Sequence, residues 1–139
     1  MHFSLLDRVI ESSPTRIVTI KMVTNAEEYL QDHFPSFPVL PGVMMLESLV
    51  QAARRLLEDH HGASEPMVLG QVRALKYGAF VRPGATLRVE IDLHKISDDG
   101  TFDFKGQALL VEPGNTGELP VAVSGRFMLR KVCIEAATC

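Results

Sequence analysis

Polar and apolar residues alternate strictly through "ATLRVEIDLHKI", with Leu87, Val89, Ile91 and Leu93 on one face and Arg88, Glu90, Asp92 and His94 on the other. A period of two sustained over this length predicts an antiparallel strand with one face in a core and the other in water. "SDDG", residues 97–100, follows as a hairpin turn. The stretches "TFDFKGQALLVE" and "LPVAVSGRFMLRKV", separated by the loop "PGNTGE", continue the strand pattern, and "PMVLGQVRALKYGAFVRP" precedes it. Upstream, "RIVTIKMV" (Arg16 to Val23) is rich in β-branched residues and predicts a further strand. "NAEEYL" predicts a short helical turn. Near the N-terminus, Phe3, Leu5, Leu6, Val9 and Ile10 space out as one apolar face, which predicts a short helix.

One segment breaks the alternation. From Gly42 to Leu57 the apolar residues nearly surround a helical wheel, so a buried helix is expected. Pro41 and Gly42 mark its start, and Gly62 is placed to end it in a left-handed conformation. One apolar-rich helix among long strands with one apolar face predicts an α+β fold, in which a curved sheet wraps the helix. No linker or repeat interrupts the pattern, and the whole of 1–139 reads as one domain.

Within that helix, eight of the eleven residues from Val43 to Ala53 are hydrophobic, yet Glu47 sits in the middle. Stripping water from a carboxylate is costly, so Glu47 needs a reason to be there. Desolvation by Met44, Met45, Leu46 and Val50 is expected to raise its pKa and suit it to work as a general acid. Ser48 and Gln51 add hydrogen-bonding capacity, Gln51 one turn along the same face. Upstream stands His33, whose natural pKa near 6.5 suits a general base. Between the two lie Pro35, Pro38, Pro41 and Gly42. Unpaired N–H groups at the helix start near Gly42 are placed to polarise a carbonyl oxygen, since Pro41 donates no hydrogen bond and glycine permits close approach. Base, acid and oxyanion site together are what removal of water from a β-hydroxy carbonyl compound requires. Eight residues separate His33 from Gly42, a reach of up to roughly 30 Å. It stays open at this point whether His33 meets Glu47 of its own chain or of a second one.

Composition narrows the partners. The chain has 139 residues, 46% hydrophobic and 22% charged, with a formal net charge of −3. That is a folded composition without the basic excess expected of a nucleic-acid binder. The apolar run from Val39 to Ala53 is too short to span a bilayer, which needs about 20 residues, and the N-terminus is interrupted by Asp7, Arg8 and Glu11. Cys133 and Cys139 form no Cys-x-x-Cys pattern and are expected to be reduced thiols in the cytoplasm.

The stretch "HFPSFPVLPGVMMLESLVQAA" resembles the signature of the FabZ-type 3-hydroxyacyl-(acyl-carrier-protein) dehydratases of type II fatty acid synthesis. Its histidine-to-glutamate spacing, its Pro-Gly and its glutamine fall on His33, Glu47, Pro41, Gly42 and Gln51. "LLDRVIE" with "RIVTIKMVT", and more loosely "ALKYGAFVRPGATLRVE", are similar to flanking parts of the family. The resemblance implies a hot-dog fold, in which a long central helix is wrapped by an antiparallel sheet. It further implies a homodimer with shared active sites, His33 of one chain facing Glu47 of the other, often assembled in the family as a trimer of dimers. The substrate is then carried on the phosphopantetheine of acyl carrier protein, with no metal or organic cofactor. Tunnel-lining candidates are Phe37, Met44, Met45 and Phe80; Lys76, Arg82, Arg126, Arg130 and Lys131 are candidates for docking an acidic carrier. Asp32 and Ser36 stand where the family usually has glycine, and Ala85 where it has aspartate, departures that bear on substrate preference. A related branch that also isomerises its product carries aspartate at the position of Glu47, and hot-dog thioesterases lack this arrangement. The remaining alternative is a non-catalytic acyl-thioester-binding or regulatory protein on the same fold.

Overall fold

The structure, a computed structural model, describes residues 3–31 and 36–132. Six strands form one antiparallel sheet: β1 (Arg8–Ser12), β2 (Arg16–Met22), β3 (Met67–Tyr77), β4 (Thr86–Ile96), β5 (Phe102–Val111) and β6 (Val121–Lys131). The order across the sheet is β1-β2-β4-β5-β6-β3, which leaves β3 on one edge. A one-turn helix α1 (Glu28–Gln31) precedes the long helix α2 (Gly42–His60), which packs against β2 to β6 on the sheet's concave side. This is the expected hot-dog arrangement.

Register explains how the sheet accepts a helix. Ile17, Ile91, Gly106 and Gly125 are aligned across β2, β4, β5 and β6, with Thr19, Val89, Ala108 and Val123 aligned beside them. The small residues in mid-sheet make room for α2. A Cβ on Gly106 would come 2.6 Å from Ile91 Cδ1 and 3.6 Å from Leu49 Cδ1 of the helix. Around this seam Leu49, Ala52, Ala53, Leu56 and Leu57 are fully buried, and Phe104 stacks on Phe127 with ring centroids 5.5 Å apart. The helix ends as the sequence predicts. Gly62 takes φ +63°, the Ala63 N–H donates back to the Leu57 carbonyl, and His61 Nε2 lies 2.7 Å from the Pro14 carbonyl.

Two expectations are corrected. The N-terminal segment does not form a helix: residues 8–12 are strand β1, paired with β2 across a bulge between Val9 and Glu11. Pairing with a preformed neighbour outweighs a short apolar period, because an isolated helix this brief is not self-supporting. Nor is α2 buried all round. Its sheet-facing side is covered, whereas Val43 is 70% exposed and Met44, Leu46, Glu47 and Gln51 are half-buried.

Candidate active site

Glu47 stands on the open side of α2. Its side chain is 40% exposed, so the burial expected from the sequence is not what this chain provides. It lines a groove of about 690 Å³ between the helix and the N-terminal segment, walled by Phe3, Leu6, Met44, Gln51 and Arg54. Among the described residues, two side chains approach the carboxyl. Gln51 Nε2 donates to Glu47 Oε1 at 3.3 Å, and Arg54 Nη1 lies 3.6 Å from the same oxygen.

Gln51 is itself held from outside the helix. Its Oε1 accepts the Leu5 N–H at 2.7 Å and its Nε2 donates to the Phe3 carbonyl at 2.9 Å. The amide thus pairs with the N-terminal backbone much as a neighbouring strand would. Phe3 in turn meets Tyr29 edge-on, ring centroids 5.1 Å apart. Burial first, and then the neighbouring Glu27 carboxylate, pushes the Tyr29 phenol well above its usual range. Glu27 pairs with the buried Lys21 ammonium at 2.6 Å.

The start of α2 is framed by Pro41 and Tyr77. Pro41 supplies no side-chain cap, and its carbonyl accepts the Met44 and Met45 N–H groups at 3.0 and 3.1 Å. Gly42 is close to a ring: a Cβ there would lie 2.8 Å from Tyr77 Cε1. Tyr77, at the end of β3, therefore occupies the approach that glycine was expected to leave open. His33 and its neighbour Asp32 lie outside the described residues, as do Cys133 and Cys139.

Of the tunnel-lining candidates, Met44 lines the groove while Met45 is packed in the core, 4% exposed. Phe37 and Phe80 meet edge-on at 6.2 Å, with the Arg82 guanidinium 5.7 Å from the Phe37 ring centre. Lys76, Arg126, Arg130 and Lys131 are exposed, and Lys131 Nζ is 3.5 Å from Glu65. Arg126 sits in register between Arg73 of β3 and Lys105 of β5. Elsewhere on the sheet, burial of Glu90 works to raise its pKa but is outweighed by hydrogen bonds from Gln107 and Arg88 and by the charge of Arg16, which hold it below the usual carboxylate range.

Comparison with known proteins agrees with this architecture. The profile of the ApeI-like family, described as ApeI dehydratase, matches residues 9–115. The chain belongs to this family of dehydratases. Among curated relatives, a 3-hydroxyacyl-(acyl-carrier-protein) dehydratase FabZ of Clostridium perfringens is 34% identical over 127 residues, 91% of this chain and 86% of the relative. The FabZ of Oenococcus oeni is 42% identical over 97 residues, 68% of this chain and 70% of the relative. Both make the chain a dehydratase of FabZ type. Among solved structures, a chain of the dehydratase heterocomplex ApeI:P from Xenorhabdus doucetiae superposes with a TM-score of 0.66 at 17% identity, covering 94% of this chain and 100% of that one. That likeness is one of fold.

Sequence reasoning passed over Arg54 and the hold of the Phe3 and Leu5 backbone on Gln51. Arg54 was findable, since positions 47, 51 and 54 fall on one helical face. The clamp on Phe3 and Leu5 had no local signal, being made 46 and 48 residues away.

Proposed function

We propose that this chain dehydrates (3R)-3-hydroxyacyl groups carried on acyl carrier protein to trans-2-enoyl products, as a step of type II fatty acid synthesis in the cytoplasm. The observation that carries the reading is Glu47, a carboxyl held in place at the groove on the central helix of a dehydratase-family chain. In the proposed reaction His33 removes the proton from C2 of the acyl group. The thioester oxygen, taking on enolate charge, is held by the uncapped N–H groups at the start of α2 near Gly42. Glu47 gives its proton to the hydroxyl leaving C3, the C2–C3 double bond forms, and water departs. Only protons move, so no metal or organic cofactor is called upon.

The proposed working unit is a homodimer in which His33 of one protomer faces Glu47 of the other. Support comes from β3, an edge strand with an unpaired side, and from Val43, Phe80 and Tyr77 near its end, which are 70%, 67% and 52% exposed. Lys76, Arg82, Arg126, Arg130 and Lys131 are the proposed cations for the acidic carrier. Arg73, Arg126 and Lys105 lie in register across three strands, Arg73 with Asp103 at 3.7 Å and Lys105 opposite Asp92, and Arg126 between them is exposed toward a carrier.

The test is hydration of a short trans-2-enoyl thioester, the reverse reaction, followed by loss of enoyl absorbance. Wild type is expected to turn over. His33→Ala and Glu47→Gln are each expected to lose about 100-fold or more in kcat, with unchanged circular dichroism. Folded variants with wild-type turnover would remove both residues from the mechanism.

A further inference from the structure

The hydrogen bond to Glu47 falls on one oxygen. Gln51 Nε2 donates to Oε1, Arg54 Nη1 makes its shortest approach to the same oxygen at 3.6 Å, and Oε2 accepts no hydrogen bond among the described residues. A carboxyl oxygen that accepts an N–H hydrogen bond is committed as an acceptor, so the acid proton belongs on the other one. Gln51 and Arg54 are in turn fixed from different parts of the fold. Gln51 is pinned by the backbone of Phe3 and Leu5, and Arg54 by the Met67 carbonyl at the start of β3, which accepts from Nε at 2.9 Å. The N-terminal segment, α2 and β3 thus converge on the Glu47 carboxyl. Stability does not explain the arrangement, because an ion pair with side chains 36% and 40% exposed contributes little to it.

We propose that Arg54, acting with Gln51, is a positioning residue that orients the Glu47 carboxyl so that Oε2 is the oxygen that delivers the proton. The inference rests on the dehydratase reading above. In the step, the Oε2–H bond breaks, its proton joins the departing hydroxyl, and the C3–O bond opens. The electron pair from the C2–H bond forms the new double bond. Negative charge grows on Glu47 as its proton leaves, and the guanidinium already aligned with Oε1 meets it without reorganisation. Gln51 fixes the angle, and Arg54 fixes the angle and supplies charge.

The experiment compares Arg54→Leu and Arg54→Lys with wild type in enoyl thioester hydration, and records the 13C carboxyl resonance of Glu47, assigned by its loss in Glu47→Gln. Arg54→Leu is expected to lower kcat about tenfold with KM within about twofold and melting temperature retained. Arg54→Lys keeps the charge and is expected to restore most of that kcat. The Glu47 carboxyl resonance is expected to shift in Arg54→Leu and in Gln51→Leu. An active wild type whose Arg54 variants keep both kcat and the Glu47 resonance overturns the inference, as does a loss in kcat that tracks melting temperature and is not rescued by lysine. Inactive wild type with a resonance that still responds to Arg54 condemns the dehydratase reading instead and leaves the clamp standing.

Discussion

The buried ion pair of Lys21 and Glu27 shows how differently two charge pairs in one chain behave. Their side chains are 11% and 14% exposed and 2.6 Å apart, with Asp7 a further 3.7 Å from the ammonium. Little water remains to compensate either charge, so removing one partner strands the other. Lys21→Met is expected to lower the unfolding free energy by about 3 kcal/mol in urea titrations. The double variant Lys21→Met/Glu27→Leu should be less destabilised than the single one, because no charge is then left unpaired; a double variant worse than the single would contradict this. The pair of Glu47 and Arg54 is wetter, and its importance lies in direction. At this scale the sequence was only partly legible. Glu47, Gln51 and Gly42 could be read from a single helix, but what fixes Gln51 comes from residues nearly fifty positions away. Periodicity also counted the apolar neighbours of Glu47 without showing which of them turn toward the sheet.

Elements were more legible than single contacts. The alternating stretches became β4, β5 and β6, and the apolar run became α2, because their periodicity is long enough to dominate. The N-terminal segment was misread because five apolar residues at loose spacing fit either structure, and the deciding partner, β2, lies beyond the window. The glycine seam is the clearest element-scale device. Gly106→Ala pushes a methyl group to within 2.6 Å of Ile91 Cδ1 and 3.2 Å of Phe127 Cε1, on the face that receives Leu49. It is expected to cost about 1–3 kcal/mol in urea unfolding. An unchanged midpoint would show that helix and sheet are not held at contact distance there.

At the scale of the whole molecule, a groove holding the Glu47 carboxyl on a half-open helix, beside an edge strand and an exposed apolar cluster, suits the proposed fold completed by a second copy. Family membership and architecture were legible from "HFPSFPVLPGVMMLESLVQAA", whereas the openness of α2 was not, since a helical wheel does not distinguish a face covered by its own sheet from one left uncovered. The proposal that two protomers share each site can be tested through complementation. His33→Ala and Glu47→Gln chains, each expected to be inactive, are unfolded together, refolded and assayed for enoyl thioester hydration. Random pairing makes half the dimers mixed, each with one intact site of two, so recovery of about a quarter of wild-type turnover is predicted. Either single variant retaining wild-type turnover would contradict the catalytic pair, and mixed dimers without recovery would contradict its sharing between subunits.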